Sequence, residues 1–311
     1  MQTAPREASG AARRAGAGHP IGSEARTKGR AMELKEVIGR RRSIRVFAPY
    51  RPVERAKVQK MLEAARRSSC AGNVMNIRGV VIWRDKASKK LVDSIKLPLS
   101  YQQMQTAPVF ILWYNECMAY RGEHWVASVM ELAETRRLGA DLERTREEIE
   151  KMLAPAFMAM DPVQTGSSPG AFMDCGLAIA QATLVAYEEG LGSCLMGGPV
   201  LARVAKRLKV PDTGIPLCLQ ALGYPAESWE AGGQTNKPEL GELFYEMECG
   251  KPFESDPAVV EELKAAKMIQ RPPPLPWREA ELQYLIKAVD LETRLVRLDS
   301  LVPDEDEKSG W

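Results

Sequence analysis

The sequence is poor in the residues that most often carry side-chain catalysis or bind metals. Among its 311 residues there are only two histidines, His19 and His124, too few for a multi-histidine metal site or a Ser-His-Asp triad. The six cysteines include no C-x-x-C pair, so the ligand spacing of a zinc knuckle, an iron–sulfur cluster or a thioredoxin-type redox site is missing. We therefore expect reduced thiols, no metal and no catalytic side chain.

Long apolar runs and an excess of one charge are lacking as well. No run of eighteen apolar residues occurs, and the N-terminus has no apolar core of a signal peptide, so we expect neither a membrane partner nor secretion. Lysine and arginine number 43 against 41 acidic residues, a net charge of +2, which gives no basic field for nucleic acid. Aromatic stacking platforms are absent too. A cytoplasmic protein that acts on a small molecule fits this composition best.

The chain divides by composition into three parts. Residues 1–31 are rich in Ala, Gly and Arg and predict a disordered tail, although an Arg-rich, acid-poor tail is also typical of a transit peptide. Residues 32–250 form the main domain, and a charged stretch at about 116–168 interrupts it as a helical insertion. Residues 251–311 are predicted to be a C-terminal extension.

Hydrophobic periodicity predicts the main helices and strands. Residues 171–189 are apolar almost all round, which predicts a helix buried on most sides, either centrally or at a subunit interface. The other predicted helices begin at Leu34 or cover 53–67, part of 131–153 and about 278–298. A short buried strand is predicted over 79–83, and further strands are predicted over 109–114 and 217–222. Pro155 and Pro162 are expected to end the helical part of the insertion.

Four short segments stand in a definite order around the apolar helix. The first is Arg41-Arg42-Ser43-Ile44-Arg45, and the second is Ser69-Cys70-Ala71-Gly72-Asn73-Val74-Met75-Asn76-Ile77. The third, Gly190-Leu191-Gly192-Ser193-Cys194-Leu195-Met196-Gly197-Gly198, follows the apolar helix directly. The fourth is Ala221-Leu222-Gly223-Tyr224-Pro225, with Asn236-Lys237-Pro238 after it.

Taken together, these segments resemble those of the nitroreductase family of FMN-dependent enzymes over roughly residues 33–247. The corresponding family patterns are R-[RH]-S-x-[RK], P-S-x-x-N-x-Q-P-W, G-L-G-[ST]-x-W-x-G and A-L-G-Y-P. The chain departs from them where Met75 replaces Gln, Leu195 replaces Trp and Asn236 replaces Arg; Ser69, Cys70, Asn76 and Ile77 also differ. The resemblance implies an α+β fold, a mixed β-sheet flanked by helices, that works as a homodimer with FMN at the subunit interface.

The resemblance also implies the cofactor-binding residues. The first segment and Lys237 would grip the FMN phosphate and ribitol, and guanidinium forks suit phosphate oxygens. Asn73 would offer a polar contact to the isoalloxazine ring, while backbone N–H groups at Gly197 and Gly198 would approach its N5 and O4, where glycine permits close contact. The implied cofactor-binding set is Arg41, Arg42, Ser43, Arg45, Cys70, Ala71, Asn73, Met75, Leu195, Met196, Gly197, Gly198, Asn236 and Lys237. Arg40 is a candidate to compensate for the charge missing at Asn236.

The expected activity is electron transfer from NADH or NADPH through FMN to a small electron-poor acceptor, a nitroaromatic or a quinone. The flavin supplies the chemistry, which agrees with the scarcity of histidine. The insertion is expected to cover the flavin, with Trp125, Met158 and Met160 as candidate lining residues. Two alternatives stay open: a specialised member that performs reductive dehalogenation or flavin fragmentation, and a protein that binds flavin without turnover.

Overall fold

The computed structural model describes residues 32–96, 101–198 and 201–291, and a single four-stranded sheet lies at the centre of this part of the chain. The strand order is β1-β2-β4-β3, and every neighbouring pair is antiparallel. The strands are β1 (Ile77–Trp83), β2 (Val109–Glu116), β3 (Gly192–Met196) and β4 (Gly214–Gly223). Among the described residues, one isolated parallel β-bridge, between Ser43 and Ser193, adds to this antiparallel pairing. The predicted α+β class is confirmed.

Helices surround the sheet and make up a large share of the described chain. Those before the apolar helix are α1 (Leu34–Arg40), α2 (Arg55–Arg66), α3 (Lys89–Ser94), α4 (Tyr101–Thr106), α5 (Gly122–Glu134), α6 (Leu142–Glu148), α7 (Ala154–Ala159) and α8 (Pro162–Gly166). The others are α9 (Pro169–Glu188), α10 (Leu201–Arg207), α11 (Leu240–Leu243), α12 (Pro257–Ala265) and α13 (Arg278–Ala288). Short helical turns cover Ala71–Asn73 and Cys117–Tyr120, and a π-helical turn, Ile149–Leu153, joins α6 to α7.

The central strand β2 is buried on both faces, which explains its continuous apolar run. Phe110 and Leu112 point to one side, into a cluster with residues of α4 and α10. Ile111 and Trp113 point to the other side, where α2 and α9 cover the sheet. Successive side chains of a strand alternate between its faces, so β2 alone supplies the centre of both cores.

Helix α9 begins and ends where its sequence indicates. The Ser168 hydroxyl accepts a hydrogen bond from the Ala171 N–H, and Gly190 adopts a left-handed conformation, φ 78°, just past the last turn. Among the described residues, α9 is long and apolar enough to cross a membrane by length and composition alone, but half of it is buried inside the protein. One face packs on the sheet and α2, while Met173 (61% exposed) and Leu177 (46% exposed) lie on the open face.

The structure corrects three details of the sequence prediction. The insertion is not one helix over 131–153, since α5 ends at Glu134 and α6 begins at Leu142. Pro155 does not end a helix: it directly follows the π-helical turn, at the second residue of α7. Strand β1 is an edge strand with exposed residues rather than a buried one.

The described part of the C-terminal extension packs against α1. Lys35 pairs with Glu262 at 2.5 Å and Glu36 with Lys267 at 3.1 Å, and the backbone around Lys267 lies so close to Gly39 that a Cβ there would overlap it. The C-terminal helix α13 ends at Ala288; the rest of its predicted range, from 292 onward, and the predicted N-terminal tail lie outside the described residues. The boundaries at 31/32 and 250/251 stay predictions.

Candidate functional site

The basic segment after α1 is extended, and its side chains alternate in exposure. Ile44 and Val46 are buried, each 1% exposed, and the Ile44 N–H donates to the Ser193 carbonyl at 3.0 Å. Since neighbouring side chains of an extended chain point to opposite sides, Arg41, Ser43 and Arg45 share the outer face. This arrangement places two guanidinium groups and a hydroxyl together beside β3.

Arg42 points inward and is fully engaged by the protein itself. Its Nε donates to the Gly233 carbonyl at 3.1 Å, and its terminal nitrogens donate to Gly39 O at 2.5 Å and Gln270 Oε1 at 3.3 Å. Burial lowers the pKa of Arg42, an effect that Tyr187 partly offsets. The structure therefore separates Arg42 from the other residues of the first motif.

The outer face is short of negative charge. Within the described part of the chain, neither Arg41, Arg45 nor Lys237 forms an ion pair, and the Ser43 hydroxyl has no hydrogen-bond partner. Arg45 only donates to the Ser43 carbonyl, at 3.2 Å. Among the described residues, Arg41 and Arg45 are therefore cations without an ion pair on the face that carries the Ser43 hydroxyl, and Lys237 is a further cation without an ion pair. Donors of this kind suit a dianionic phosphate.

Lys237 and Asn236 follow a segment that is fastened to the end of α1. Gln234 donates to the Gly39 carbonyl at 3.3 Å, and Lys237, three residues further on, lies within roughly 10 Å of the Gln234 Cα atom. Both Asn236 and Lys237 are exposed. Arg40, the candidate substitute for the missing charge at 236, instead pairs with Glu36 at 3.0 Å.

The third segment provides an open backbone at the end of β3. Met196 is buried, whereas Leu195 is 46% exposed. Gly197 and Gly198 are exposed, and a Cβ built on either would meet no atom within 4 Å. Among the described residues, no packing contact requires glycine at these two positions, although the φ of 151° at Gly198 favours it. The space beside them suits a flat ligand that approaches the backbone closely.

The second segment is a strained loop that leads into β1. Gly72, Asn73 and Met75 all have positive φ, at 57°, 58° and 49°, a conformation that is rare for a residue such as methionine. Two hydrogen bonds hold the loop: Ala71 N–H donates to Asp174 Oδ2 at 2.9 Å, and Met75 N–H donates to Cys70 Sγ at 3.4 Å. Ala71 and Asn73 are exposed, while Cys70 and Met75 are half-buried.

A buried amide pair fixes the base of this loop. Asn76 donates to Asn115 Oδ1 at 2.7 Å and to Ala171 O at 2.9 Å, and Asn115 donates to Gly166 O at 2.7 Å. These bonds join the loop to β2, α8 and α9. Asn76 departs from the family pattern in sequence, and its structural role was missed; the polar Asn115 just after an apolar strand was the signal that could have revealed it.

Asp174 is a second residue that sequence reasoning missed. It is 5% exposed on α9 and holds the loop through Ala71. The nearby Tyr120 hydroxyl is buried without a hydrogen-bond partner among the described residues, and burial, together with the charge of Asp174, raises its pKa. No local pattern links these positions, because Tyr120 lies at the start of the insertion and Asp174 lies beyond its end, on α9.

The insertion packs directly on the loop. The Trp125 indole lies against Gly72, where a Cβ would overlap it, and stacks on Phe157 with ring centroids 4.3 Å apart. Met158 and Met160, the other candidate lining residues, are 54% and 41% exposed. No cluster of three metal-ligating side chains occurs in the described ranges.

The fourth segment supports the basic segment. Phe47 forms an isolated antiparallel β-bridge with Pro225, and the Ala48 N–H donates to the Tyr224 carbonyl at 2.8 Å. The Tyr224 hydroxyl donates to Glu54 at 2.7 Å. This hydrogen bond helps to lower the pKa of Glu54, although burial acts in the opposite direction and is the largest single effect. The motif is therefore a structural support rather than an open surface.

The motifs fall into two groups at opposite edges of the sheet. The third contains β3, the first lies beside it and the fourth ends the neighbouring strand β4, whereas the second leads into β1. In the order β1-β2-β4-β3, three strand spacings separate these edges, or roughly 14 Å. One chain therefore presents the four motifs as two separate groups.

Comparison with known proteins assigns residues 38–224 to the sequence profile described as the Nitroreductase family. The chain is 30% identical over 196 residues to a protein of Thermus thermophilus named NADH dehydrogenase, an alignment that spans 63% of this chain and 88% of that protein.

Solved structures share the fold. A nitroreductase-like protein from Streptococcus mutans superposes with a TM-score of 0.55 at 20% identity, over 68% of this chain and 97% of its own. A protein from Exiguobacterium sibiricum, named as a nitroreductase in complex with FMN, gives 0.51 at 19% identity, over 69% and 97%.

Proposed function

The chain belongs to the nitroreductase family and is an FMN-dependent oxidoreductase supplied by NAD(P)H, and within that class we propose that it passes electrons to a small electron-poor acceptor of the nitroaromatic or quinone type. The observation that carries the proposal is the group of unpaired donors, Arg41, Ser43, Arg45 and Lys237, beside a glycine backbone with open space next to it. When bound, FMN supplies the electron-transfer chemistry. The protein binds and orients it.

In this proposal Arg41, Ser43, Arg45 and Lys237 hold the phosphate. Their charges neutralise a dianion that is partly removed from water, and guanidinium forks fix its orientation. Arg42 supports the segment from behind, because its donors are already bound to protein carbonyls and to Gln270. Asn236 adds a polar group without charge at the rim.

The ring is proposed to lie against the end of β3. Gly197 and Gly198 allow the backbone to come close, and Met196 contributes only its backbone because its side chain is buried. Leu195 adds an exposed apolar surface where the family pattern has Trp. Cys70, Ala71, Asn73 and Met75 contribute from the loop that leads into β1, with Asn73 as its exposed amide.

We further propose that the enzyme is a homodimer in which the loop of one protomer completes the β3 half-site of its partner. Two half-sites roughly 14 Å apart on one chain support this arrangement, as does the open apolar face of α9. Half-buried apolar helices of this length are typical of subunit interfaces. We place the dimer in the cytoplasm, since all six cysteines are free.

The dimer proposal can be tested with Leu177→Glu on the open face of α9. A charge placed in an apolar interface should shift sedimentation from dimer to monomer. Leu153→Glu is the matched control, because Leu153 is a similarly exposed leucine (40%) on the insertion. Unchanged sedimentation of Leu177→Glu, or equal effects of both variants, would contradict an α9 interface.

The activity can be tested by absorbance of the purified protein before and after anaerobic addition of NADH or NADPH. Flavin bands that bleach, and return on addition of a nitroaromatic or a quinone, are the expected result. Bands that stay unchanged with both nucleotides would favour flavin binding without turnover. Bleaching without reoxidation by either acceptor class would reject the proposed acceptor.

A further inference from the structure

A buried carboxylate holds the inner side of the basic segment. Glu227 has a side chain that is 0% exposed, and its Oε1 accepts hydrogen bonds from two successive backbone N–H groups, those of Arg45 and Val46, the latter at 2.9 Å. These amides belong to the strand-like stretch whose outer face carries Ser43 and Arg45. The position of Glu227 therefore sets the position of that backbone.

The charge of Glu227 is balanced from the C-terminal extension. Arg278, the first residue of α13, donates to Glu227 Oε2 at 2.6 Å and to Glu281 Oε2 at 2.7 Å. Glu281 Oε1 accepts from the Ser228 N–H at 2.5 Å. Although burial alone would lower the pKa of Arg278, the two carboxylates outweigh it and raise this pKa. A buried pair of this kind is costly to break, because the remaining charge has no partner.

A second set of bonds joins the same two parts of the chain. Arg42 reaches Gln270 Oε1, and Gln234 donates to both Gly39 O at 3.3 Å and Met268 O at 3.0 Å. The Arg278 side chain also lies against Gly232, where a Cβ would stand 3.1 Å from its Cγ. Residues 268–281 thus back the basic segment on the side away from its open donors.

We propose that Arg278 is a positioning residue for the FMN phosphate and that the C-terminal extension is a structural part of the phosphate site. The inference rests on the proposed function in so far as the outer-face donors bind the phosphate. Arg278 holds the Glu227 carboxylate in place, and Glu227 holds the amides of Arg45 and Val46 in place. The spacing of Ser43 and Arg45 on the outer face depends on these contacts. Loss of Arg278 should therefore affect the phosphate end of the ligand and spare the ring end.

The test compares FMN with riboflavin, which lacks the phosphate, in binding to the apoprotein by flavin fluorescence. Arg278→Met keeps the side-chain length and removes the charge, and we expect it to weaken FMN binding by about tenfold or more, which corresponds to about 1.4 kcal/mol, with riboflavin binding nearly unchanged. Arg278→Lys should restore part of the loss. Arg271→Met is the matched control, an exposed arginine of the same extension that pairs with Glu230 at 3.2 Å, and it should behave as wild type.

A second readout needs no flavin. In apo Arg278→Met, the amides of Arg45 and Val46 should exchange hydrogen faster than in wild type, while the amides of β2 keep their protection. If Arg278→Met fails to fold, the double variant Glu227→Gln/Arg278→Met avoids the unpaired buried charge, and it should fold and retain the selective loss of FMN affinity.

The outcomes separate the two proposals. Wild-type protein that binds FMN no better than riboflavin would refute the phosphate grip itself. Wild-type protein that prefers FMN, with Arg278→Met showing the same preference and the same amide exchange, would refute the role of Arg278 alone. An equal loss of FMN and riboflavin affinity in Arg278→Met would assign Arg278 to general stability and overturn the inference.

Discussion

Replacement of Gly197 by alanine separates ligand contact from protein stability. A Cβ at this position meets no protein atom within 4 Å, and Gly197 does not have a positive φ, in contrast to Gly198 with φ 151°. The apoprotein should therefore tolerate the change, and the smaller entropy of the unfolded chain would stabilise it by about 0.4–1 kcal/mol. If the flavin ring lies against this backbone, the added methyl group occupies the ring's space.

The expected loss can be estimated from the cost of overpacking. An extra methyl group in a filled contact costs about 1–3 kcal/mol, which corresponds to a roughly 5- to 150-fold higher Kd. Because the ring is common to FMN and riboflavin, Gly197→Ala should weaken both ligands equally. Ser43→Ala should instead weaken FMN and leave riboflavin almost unchanged, since Ser43 belongs to the phosphate donors.

Titration of apoprotein by flavin fluorescence measures the two Kd values, and thermal unfolding of the apoprotein is the control for stability. An alanine variant that binds FMN as tightly as wild type would refute the placement of the ring at Gly197. A variant with markedly lower apoprotein stability would show that protein atoms fill the space beside β3 in solution. The premise that a Cβ at Gly197 has room would then be wrong.

The remaining predictions concern thiols, pH and the loop. Native protein should show one rapidly reacting thiol, the exposed Cys249, and Cys249→Ser should abolish this phase in a titration with a chromogenic disulfide. Burial raises the pKa of Cys175 and of Cys218 from the ordinary 9.0 to about 12. Because the thiols of the unfolded chain lose their protons at lower pH than the buried ones, the contribution of these thiols to the free energy of unfolding should be complete below pH 9.0. It should decrease as pH rises from 9.0 towards 12. Urea unfolding at increasing pH checks this, and a flat profile above pH 9.0 would contradict the buried thiols. Gly72→Ala should lower the free energy of unfolding by about 1–2 kcal/mol because the residue has a left-handed φ. The overlap of the new methyl group with Trp125 should lower it further. Unchanged stability in denaturant would mean that the insertion does not pack on the loop.

Much of the fold could be predicted from local patterns. The apolar run that became β2 and the apolar residues of α9 were identified in sequence because full burial leaves a continuous hydrophobic signal. The edge position of β1 was missed, since a strand with partly exposed faces has the same short apolar run. The break between α5 and α6 was missed because charge patterns continue through it.

Within the candidate site, the sequence located the segments better than it assigned the single residues. Arg42 was grouped with Arg41 and Arg45, although the apolar Ile44 and Val46 already indicate by alternation that even-numbered side chains face inward. In sequence, Asn76 is only a departure from the family pattern, whereas in the structure it is the buried amide that fixes the loop. The pairing of Glu227 with Arg278 spans 51 residues, and no local pattern could predict it.

The strand order has the largest consequence for function, and motif order along the chain does not reveal it. β3 precedes β4 in sequence but lies outside it, at the edge opposite β1. A loop that leads into β1 and glycines that follow β3 are therefore kept apart by the two central strands, which cannot move aside because β2 and β4 carry both cores. Under the dimer proposal, a second copy supplies the loop on the other side of the sheet, and the open face of α9 provides an apolar surface for it. Dimerisation is thus the arrangement by which this topology would complete a flavin site, and Leu177→Glu should lower FMN retention as well as dissociate the protomers.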